Sequence, residues 1–118
     1  MKLSEIVNEL GAKLLNSEKT MDKNVETVFA SDLMSDVLAY ARNTSILITG
    51  LCNTQIVRTA EMMDVSCIIL ARNKEATEQM IELADELGIC LVSSERFVYD
   101  VCSKLSKLGL SGGGVYVK

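Results

Sequence analysis

The sequence has no histidine, no proline and no tryptophan among its 118 residues. Without histidine, the chain lacks the commonest general base and the commonest metal ligand. Asp32 and Asp36 lie about one helical turn apart, but no third close carboxylate joins them, so we predict no metal site. No serine has a histidine to activate it. We therefore predict a protein that is not an enzyme and that uses no cofactor.

The four cysteines, Cys52, Cys67, Cys90 and Cys102, include no pair in a C-x-x-C arrangement. That spacing is typical of zinc and thiol redox sites, which we therefore do not expect. Cysteine in or beside apolar runs behaves as a small hydrophobic residue, so we predict four reduced thiols in or near the core. Reduced thiols suit a cytoplasmic protein. An alternative for Cys52 is a nucleophile at a helix N-terminus.

The composition is that of one folded domain. Hydrophobic residues make up 48% of the chain and charged residues 24%, and the formal net charge is −4. An acidic chain repels nucleic acid and anionic lipid, so we expect neither a nucleic-acid partner nor a membrane partner. No apolar run approaches the length of a membrane span, and the first ten residues lack the apolar segment of a signal peptide.

Apolar strand-like runs alternate with amphipathic helix-like segments along most of the chain. We predict strands at 13–15, 25–30, 46–49, 67–70 and 89–92, a loop at 16–24, and helices within 4–11 and at 32–41, 54–63, 75–87 and 95–108. Short links between alternating strands and helices imply parallel strands. The uninterrupted apolar runs CIIL and ICLV imply a sheet that is covered on both faces. The predicted fold is α/β, with a mostly parallel sheet built from successive βα units.

The last eight residues differ from the rest of the chain. Residues 1–110 are predicted to form the single domain, and 111–118 form a tail that contains three consecutive glycines. Two alternatives remain for the end of this tail. Either 115–118 add an edge strand, or they are disordered, because terminal segments are ordered only when they dock.

Polar side chains follow the predicted strands, at the edge where open parallel sheets bind ligands. The candidate binding residues there are Ser31, Asp32, Thr49, Gly50, Asn53, Thr54, Arg72, Asn73, Lys74, Ser93 and Ser94. Helix N-termini at this edge offer unpaired N–H groups to an anion. One interpretation is therefore a site for a nucleotide or another small anion.

The other interpretation is that these residues only cap helices. Four helix starts have a capping residue type: Asp32, Asn53 or Thr54, Asn73, and Ser94. The stretch around Gly50 is not a Walker loop, because the second glycine and the following lysine of that motif are missing. Both interpretations stay open at this point.

The order of elements resembles the DRTGG domain family over nearly the whole chain, to about Leu110. The best matches are Ser31-Asp32-Leu33, Ser35-Asp36-Val37 and the Gly88-Ile89 turn. The namesake motif is altered. Its start resembles Asp22-Lys23, and its Thr-Gly-Gly falls on Glu26-Thr27-Val28, so both glycines are missing.

The resemblance implies a three-layer α/β/α sandwich. DRTGG domains stand beside CBS modules in regulated pyrophosphatases and ahead of the catalytic domain of phosphotransacetylases, and they are similar to the N-terminal domain of HPr kinase. The family role is regulatory or dimer-forming, without known catalysis, and Ser31, Asp32 and Asp36 are the positions it marks for testing. We therefore expect a non-catalytic regulatory or protein-interaction module that forms a homodimer and has an unknown protein partner. The alternative is a sensor for a nucleotide or another anion at the strand ends.

Overall fold

The computed structural model describes residues 1–115. In chain order the elements are α1 (Leu3–Leu10), β1 (Lys13–Leu14), a 3₁₀ helix (Glu18–Met21), β2 (Thr27–Ala30), α2 (Met34–Tyr40), β3 (Ile46–Thr49), α3 (Thr54–Met62), β4 (Cys67–Leu70), α4 (Glu78–Leu87), β5 (Cys90–Ser93), α5 (Val98–Lys107) and β6 (Ser111–Gly112). Every predicted helix and strand up to residue 108 is present. The 3₁₀ helix lies inside the stretch that was predicted as a loop.

The sheet has the strand order β1-β5-β4-β3-β2-β6. Strands β2 to β5 are parallel and lie side by side in chain order. Strand β6 runs parallel to β2 at one edge, and β1 runs antiparallel to β5 at the other. The prediction of a mostly parallel sheet of successive βα units is therefore confirmed.

Helices cover both faces of the sheet. Successive residues of a strand point to opposite faces, so Ile46 and Ile48 pack against α1 and α5, whereas Leu47 packs against α2, α3 and α4. All residues of β3 and β4 are buried. The central strands read as continuous apolar runs because neither of their faces meets water. This arrangement confirms the three-layer α/β/α sandwich.

The connections change direction after β5. Helices α2, α3 and α4 follow β2, β3 and β4 on one face, but α5 lies on the opposite face, where it contacts β3 and β2. The loops after β4 and β5 therefore leave the sheet in opposite directions. Such a switch point is where open α/β sheets form a crevice for ligands.

The tail adds an edge strand at a different place from the one predicted. Strand β6 forms at Ser111–Gly112, whereas Val115 is not in a strand and 116–118 lie outside the described residues. The N–H of Gly113 donates to the carbonyl of Val28 at 2.8 Å, and that of Val115 donates to Tyr40 at 2.8 Å. These bonds dock the tail beside β2 as far as Val115, and the two alternatives for 115–118 stay predictions because 116–118 lie outside the described residues.

Three helices begin later than predicted, at Met34, Glu78 and Val98. Helix α4 starts where the Thr77 hydroxyl accepts the N–H of Met80 at 3.1 Å. Of the polar residues that were predicted to cap these helices, Asp32 and Asn73 bond to neighbouring loops, and the Ser94 hydroxyl bonds within its own loop.

Candidate functional site

Asp32 ties the end of β2 to the turn that follows β3. Its Oδ1 accepts the backbone N–H of Gly50 at 2.7 Å and the hydroxyl of Thr49 at 2.9 Å. Asp32 is exposed, whereas the side chain of Thr49 is fully buried. Asp32 does not cap α2, contrary to the capping interpretation, because its carboxylate is directed to the neighbouring strand.

The Arg72 side chain approaches the same point, and Lys74 is near enough for its charge to act on Asp32. A Cβ atom built on Gly50 would lie 3.4 Å from the Arg72 guanidinium (Nη2) and 3.4 Å from Asp32 Oδ2. The hydrogen bond from Gly50 lowers the pKa of Asp32, partial burial opposes it, and Thr49, Arg72 and Lys74 lower it further. Asp32 is therefore ionised at neutral pH. We call Asp32, Thr49, Gly50, Arg72 and Lys74 the rim cluster.

The loop that carries the two cations has an unusual backbone. Arg72 and Asn73 adopt φ angles of 61° and 57°, a left-handed conformation that non-glycine residues rarely adopt. Two backbone hydrogen bonds hold this loop: Arg72 donates to the carbonyl of Arg96 at 2.8 Å, and Asn73 donates to that of Ser94 at 2.7 Å. Asn73 therefore does not cap α4. The two bonds join the loops after β4 and β5 across the switch point.

A cavity of about 250 Å³ lies beside this junction. Its lining includes Lys13, Leu15, Asn73, Lys74, Glu75 and Ser93. The Ser93 hydroxyl donates to the carbonyl of Lys74 at 2.8 Å. Lys74 thus belongs both to the rim cluster and to this cavity. The predicted ligand-binding edge of the sheet therefore consists of two adjoining parts, the rim cluster and the cavity.

The remaining candidate residues have local structural roles. Asn53 caps α3, because its side chain accepts the N–H of Ile56 at 3.2 Å, as the capping interpretation predicted. Thr54 is the first residue of α3 and lines a shallow cavity between α3 and α4. These two residues do not join the rim cluster.

Two serines form turns instead of capping helices. The Ser31 hydroxyl accepts the N–H of Leu33 at 3.0 Å, and the Ser94 hydroxyl accepts that of Arg96 at 3.2 Å. Asp36 lies in the first turn of α2, and within residues 1–115 its carboxylate has no hydrogen bond or ion pair. The structure therefore gives these predicted positions no shared ligand geometry.

Cys52 lies close enough to Lys74 for the two charges to interact. Burial raises the pKa of the Cys52 thiol, and Lys74 opposes this shift. A thiol with a raised pKa is a poor nucleophile at neutral pH. The described residues contain no group of three or more metal-ligating side chains. No helix among them has the length and hydrophobicity needed to cross a membrane.

The family model of the DRTGG domain matches residues 5–108. The chain belongs to the DRTGG domain family. A search of curated proteins finds no match to this DRTGG domain.

One solved structure that resembles this DRTGG domain holds the CBS and DRTGG domains of the regulatory region of Clostridium perfringens pyrophosphatase, complexed with the activator diadenosine tetraphosphate. The TM-score is 0.70 at 17% sequence identity, over 88% of this chain and 45% of that one. The DRTGG domain described here therefore matches less than half of that structure. At this identity the similarity shows a shared fold.

The altered namesake segment of this DRTGG domain lies against the C-terminal tail. Thr27 pairs with Ser111 and Val28 pairs with Gly112, so the positions of the missing glycines form the inner partner of β6. The three consecutive glycines, Gly112 to Gly114, begin within β6, the other strand of this pair.

An apolar groove on this edge has no counterpart in the sequence motifs. It has a volume of about 440 Å³ and is lined by Val28, Phe29, Ala30, Tyr40, Gly112, Gly114 and Val115. The three consecutive glycines are the only sequence signal near it. No local sequence pattern predicts the groove, because its walls come from β2, α2 and the tail, which meet only in the folded chain.

Proposed function

We propose that this DRTGG domain is a non-catalytic regulatory module that binds a small anionic ligand at the rim cluster. Family membership supports a regulatory role. The similar pyrophosphatase structure supports it too, because it holds a regulatory region in complex with a nucleotide activator. The proposal that the ligand is anionic depends on the geometry of this chain's own residues.

The observation that carries the proposal is that Asp32 and Arg72 both lie beside Gly50, with Lys74 near enough for its charge to act on Asp32. Asp32 neutralises one positive charge, so the rim cluster keeps an excess of one. The left-handed backbone of Arg72 is a strained conformation that costs of order 1–3 kcal/mol, whereas asparagine tolerates it at position 73. Such strain, fastened by hydrogen bonds to a neighbouring loop, is typical of a functional site.

A thermal-shift screen tests this function. The ligands are inorganic phosphate, pyrophosphate, acetyl phosphate, ATP and diadenosine tetraphosphate. A ligand at about 100 times its dissociation constant stabilises the folded state by roughly 2.7 kcal/mol, which raises Tm by several degrees in a domain of this size. A screen in which none of these ligands changes Tm would contradict the proposal.

Charge-removal variants locate the binding site. Arg72→Ala combined with Lys74→Ala removes both rim cations and should abolish the shift. The matched control is Arg58→Ala combined with Lys107→Ala, which removes two exposed cations outside the rim cluster. If the rim variant folds and still binds as well as the control, the ligand does not bind at the rim cluster.

A second proposal concerns assembly with another copy of the chain. Leu33, which directly precedes α2, and Leu38 within it have 58% and 42% of their surfaces accessible, and α2 also supplies Tyr40 to the apolar groove. Exposed leucines and an apolar groove beside the same helix favour an isologous contact, in which each copy presents both features. We propose that this DRTGG domain forms a homodimer through α2 and the groove.

Light scattering on a sizing column, over a range of protein concentrations, measures this assembly. Leu38→Lys should shift the protein to a monomer, because it places a charge in the contact. The control Met62→Lys makes the same kind of change at a residue that is 72% exposed at the end of α3. A wild-type monomer at every concentration would contradict the homodimer.

A further inference from the structure

We infer that Asp32 is a built-in competitor of the ligand: its carboxylate occupies the position that a phosphate group takes when the ligand binds. This inference depends on the proposed anion site. It adds the chemical class of the ligand, a phosphate monoester or polyphosphate, and the step that binding requires, the displacement of one side chain.

The groups around the Asp32 carboxylate are those that bind phosphate in proteins. They are a backbone N–H from Gly50 and a hydroxyl from Thr49, and the guanidinium of Arg72 lies close to Gly50 without forming an ion pair with Asp32. Backbone N–H groups and arginine recognise carboxylates and phosphates with the same geometry. An acidic side chain in such a setting is therefore chemically equivalent to a bound anion.

The carboxylate is easier to move than its donors. Thr49 lies in a central strand with all of its surface buried, and Gly50 follows it directly. Asp32 is exposed on the loop between β2 and α2, and among the described residues its carboxylate accepts hydrogen bonds from Thr49 and Gly50 alone. An entering anion can therefore take over both bonds while the exposed carboxylate turns to water.

The charges define which anion fits. Arg72 and Lys74 are the charged groups that lower the pKa of Asp32. With the carboxylate in place, their two positive charges are half neutralised. Once it leaves, the two positive charges act on the vacated position without this neutralisation, which favours a phosphate dianion over a monoanion such as acetate.

Displacement also gives binding a structural consequence. The bonds from Asp32 to Thr49 and Gly50 hold the loop before α2 against the end of β3. Ligand entry releases this loop, which carries Leu33 at the start of α2. A signal at the rim cluster would therefore reach the exposed apolar surface of α2.

The test is the affinity of Asp32→Asn for pyrophosphate, measured by isothermal titration calorimetry on the full chain. Asparagine keeps an oxygen that accepts both hydrogen bonds, so the fold should be retained, but it removes the negative charge. Loss of a unit charge a few ångströms from the ligand should tighten binding roughly five- to tenfold. The control Asp64→Asn makes the same change outside the rim cluster, at a left-handed position that asparagine tolerates.

The possible outcomes separate the role of Asp32 as a competitor from the existence of the anion site. Tighter binding by Asp32→Asn, with an unchanged control, supports the role of Asp32 as a competitor. Equal or weaker binding by Asp32→Asn, with binding lost in Arg72→Ala, overturns the competitor but leaves the anion site. If pyrophosphate binds to neither the wild type nor Asp32→Asn, the anion site fails, and the competitor fails with it.

Discussion

The carboxylate of Asp32 accepts the backbone N–H of Gly50 at 2.7 Å, although the two residues lie 18 positions apart in the sequence. This bond connects the loop after β2 to the turn after β3. It places an anion where the chain also presents a buried hydroxyl and two cations. The same bond therefore stabilises the fold and fixes a negative charge within the rim cluster.

Asp32 should make stability depend on pH in the acidic range. Its hydrogen bonds lower its pKa in the folded state, so its stabilising effect is complete above the unfolded-state pKa of about 3.9. The effect is lost as pH falls through the lower, folded-state pKa. We expect Asp32→Asn to be less stable than the wild type at pH 7, by less than about 1 kcal/mol because the group is exposed.

Thermal denaturation of both proteins between pH 7 and pH 2.5 measures this dependence. The difference in Tm between wild type and Asp32→Asn should shrink as the pH falls below about 4. A difference that stays constant over the whole range would show that the charge of Asp32 does not stabilise the fold.

Gly113 should tolerate no side chain. A Cβ atom there would lie 2.7 Å from the Thr44 hydroxyl and 2.9 Å from the carbonyl of Asn43. We expect Gly113→Ala to lower the free energy of unfolding by about 1–3 kcal/mol, the usual effect of overpacking. Urea denaturation gives the value. Gly112→Ala is the control, because a Cβ there meets nothing within 4 Å, and equal effects of the two substitutions would refute the steric explanation.

Asn16 should stabilise β5 through its side chain, although it lies in the predicted loop. Its side-chain amide donates to the carbonyl of Ile89 at 2.8 Å and accepts the N–H of Leu91 at 3.0 Å. Asn16→Ala leaves both backbone groups without this partner, so we expect a loss of about 1–3 kcal/mol in urea denaturation. The exposed Asn24 is the control. A loss no larger than that of Asn24→Ala would show that water replaces the amide.

The thiols should differ in reactivity according to their burial. Cys67 and Cys90 face each other across β4 and β5 and are fully buried, and burial raises the pKa of Cys67 well above its usual value. Cys52 and Cys102 are half-buried, and burial raises the pKa of each. In native protein at neutral pH, a thiol reagent should modify the half-buried Cys52 and Cys102 slowly and leave the buried Cys67 and Cys90 unmodified. In denaturant, all four cysteines should react. Rapid modification of all four native thiols would contradict this packing.

Local sequence patterns predicted most of the fold. Strands β3, β4 and β5 are short apolar runs between polar loops, and burial of such runs on both faces favours a parallel sheet. The helix starts were less predictable. Thr77 and not Asn73 begins α4, because Asn73 donates its N–H to Ser94 in the loop after the neighbouring strand.

The order of side-chain types along the chain was enough to predict the α/β alternation, the apolar central strands and the set of polar residues at their carboxyl ends. Which of those polar residues meet depends on the folded arrangement. Asp32 bonds to Gly50, and Arg72 lies close to Gly50, because parallel strands bring separate loops to one edge of the sheet. The tail docks on β2 for the same physical reason: hydrogen bonds and close packing between segments far apart in the chain depend on the completed fold.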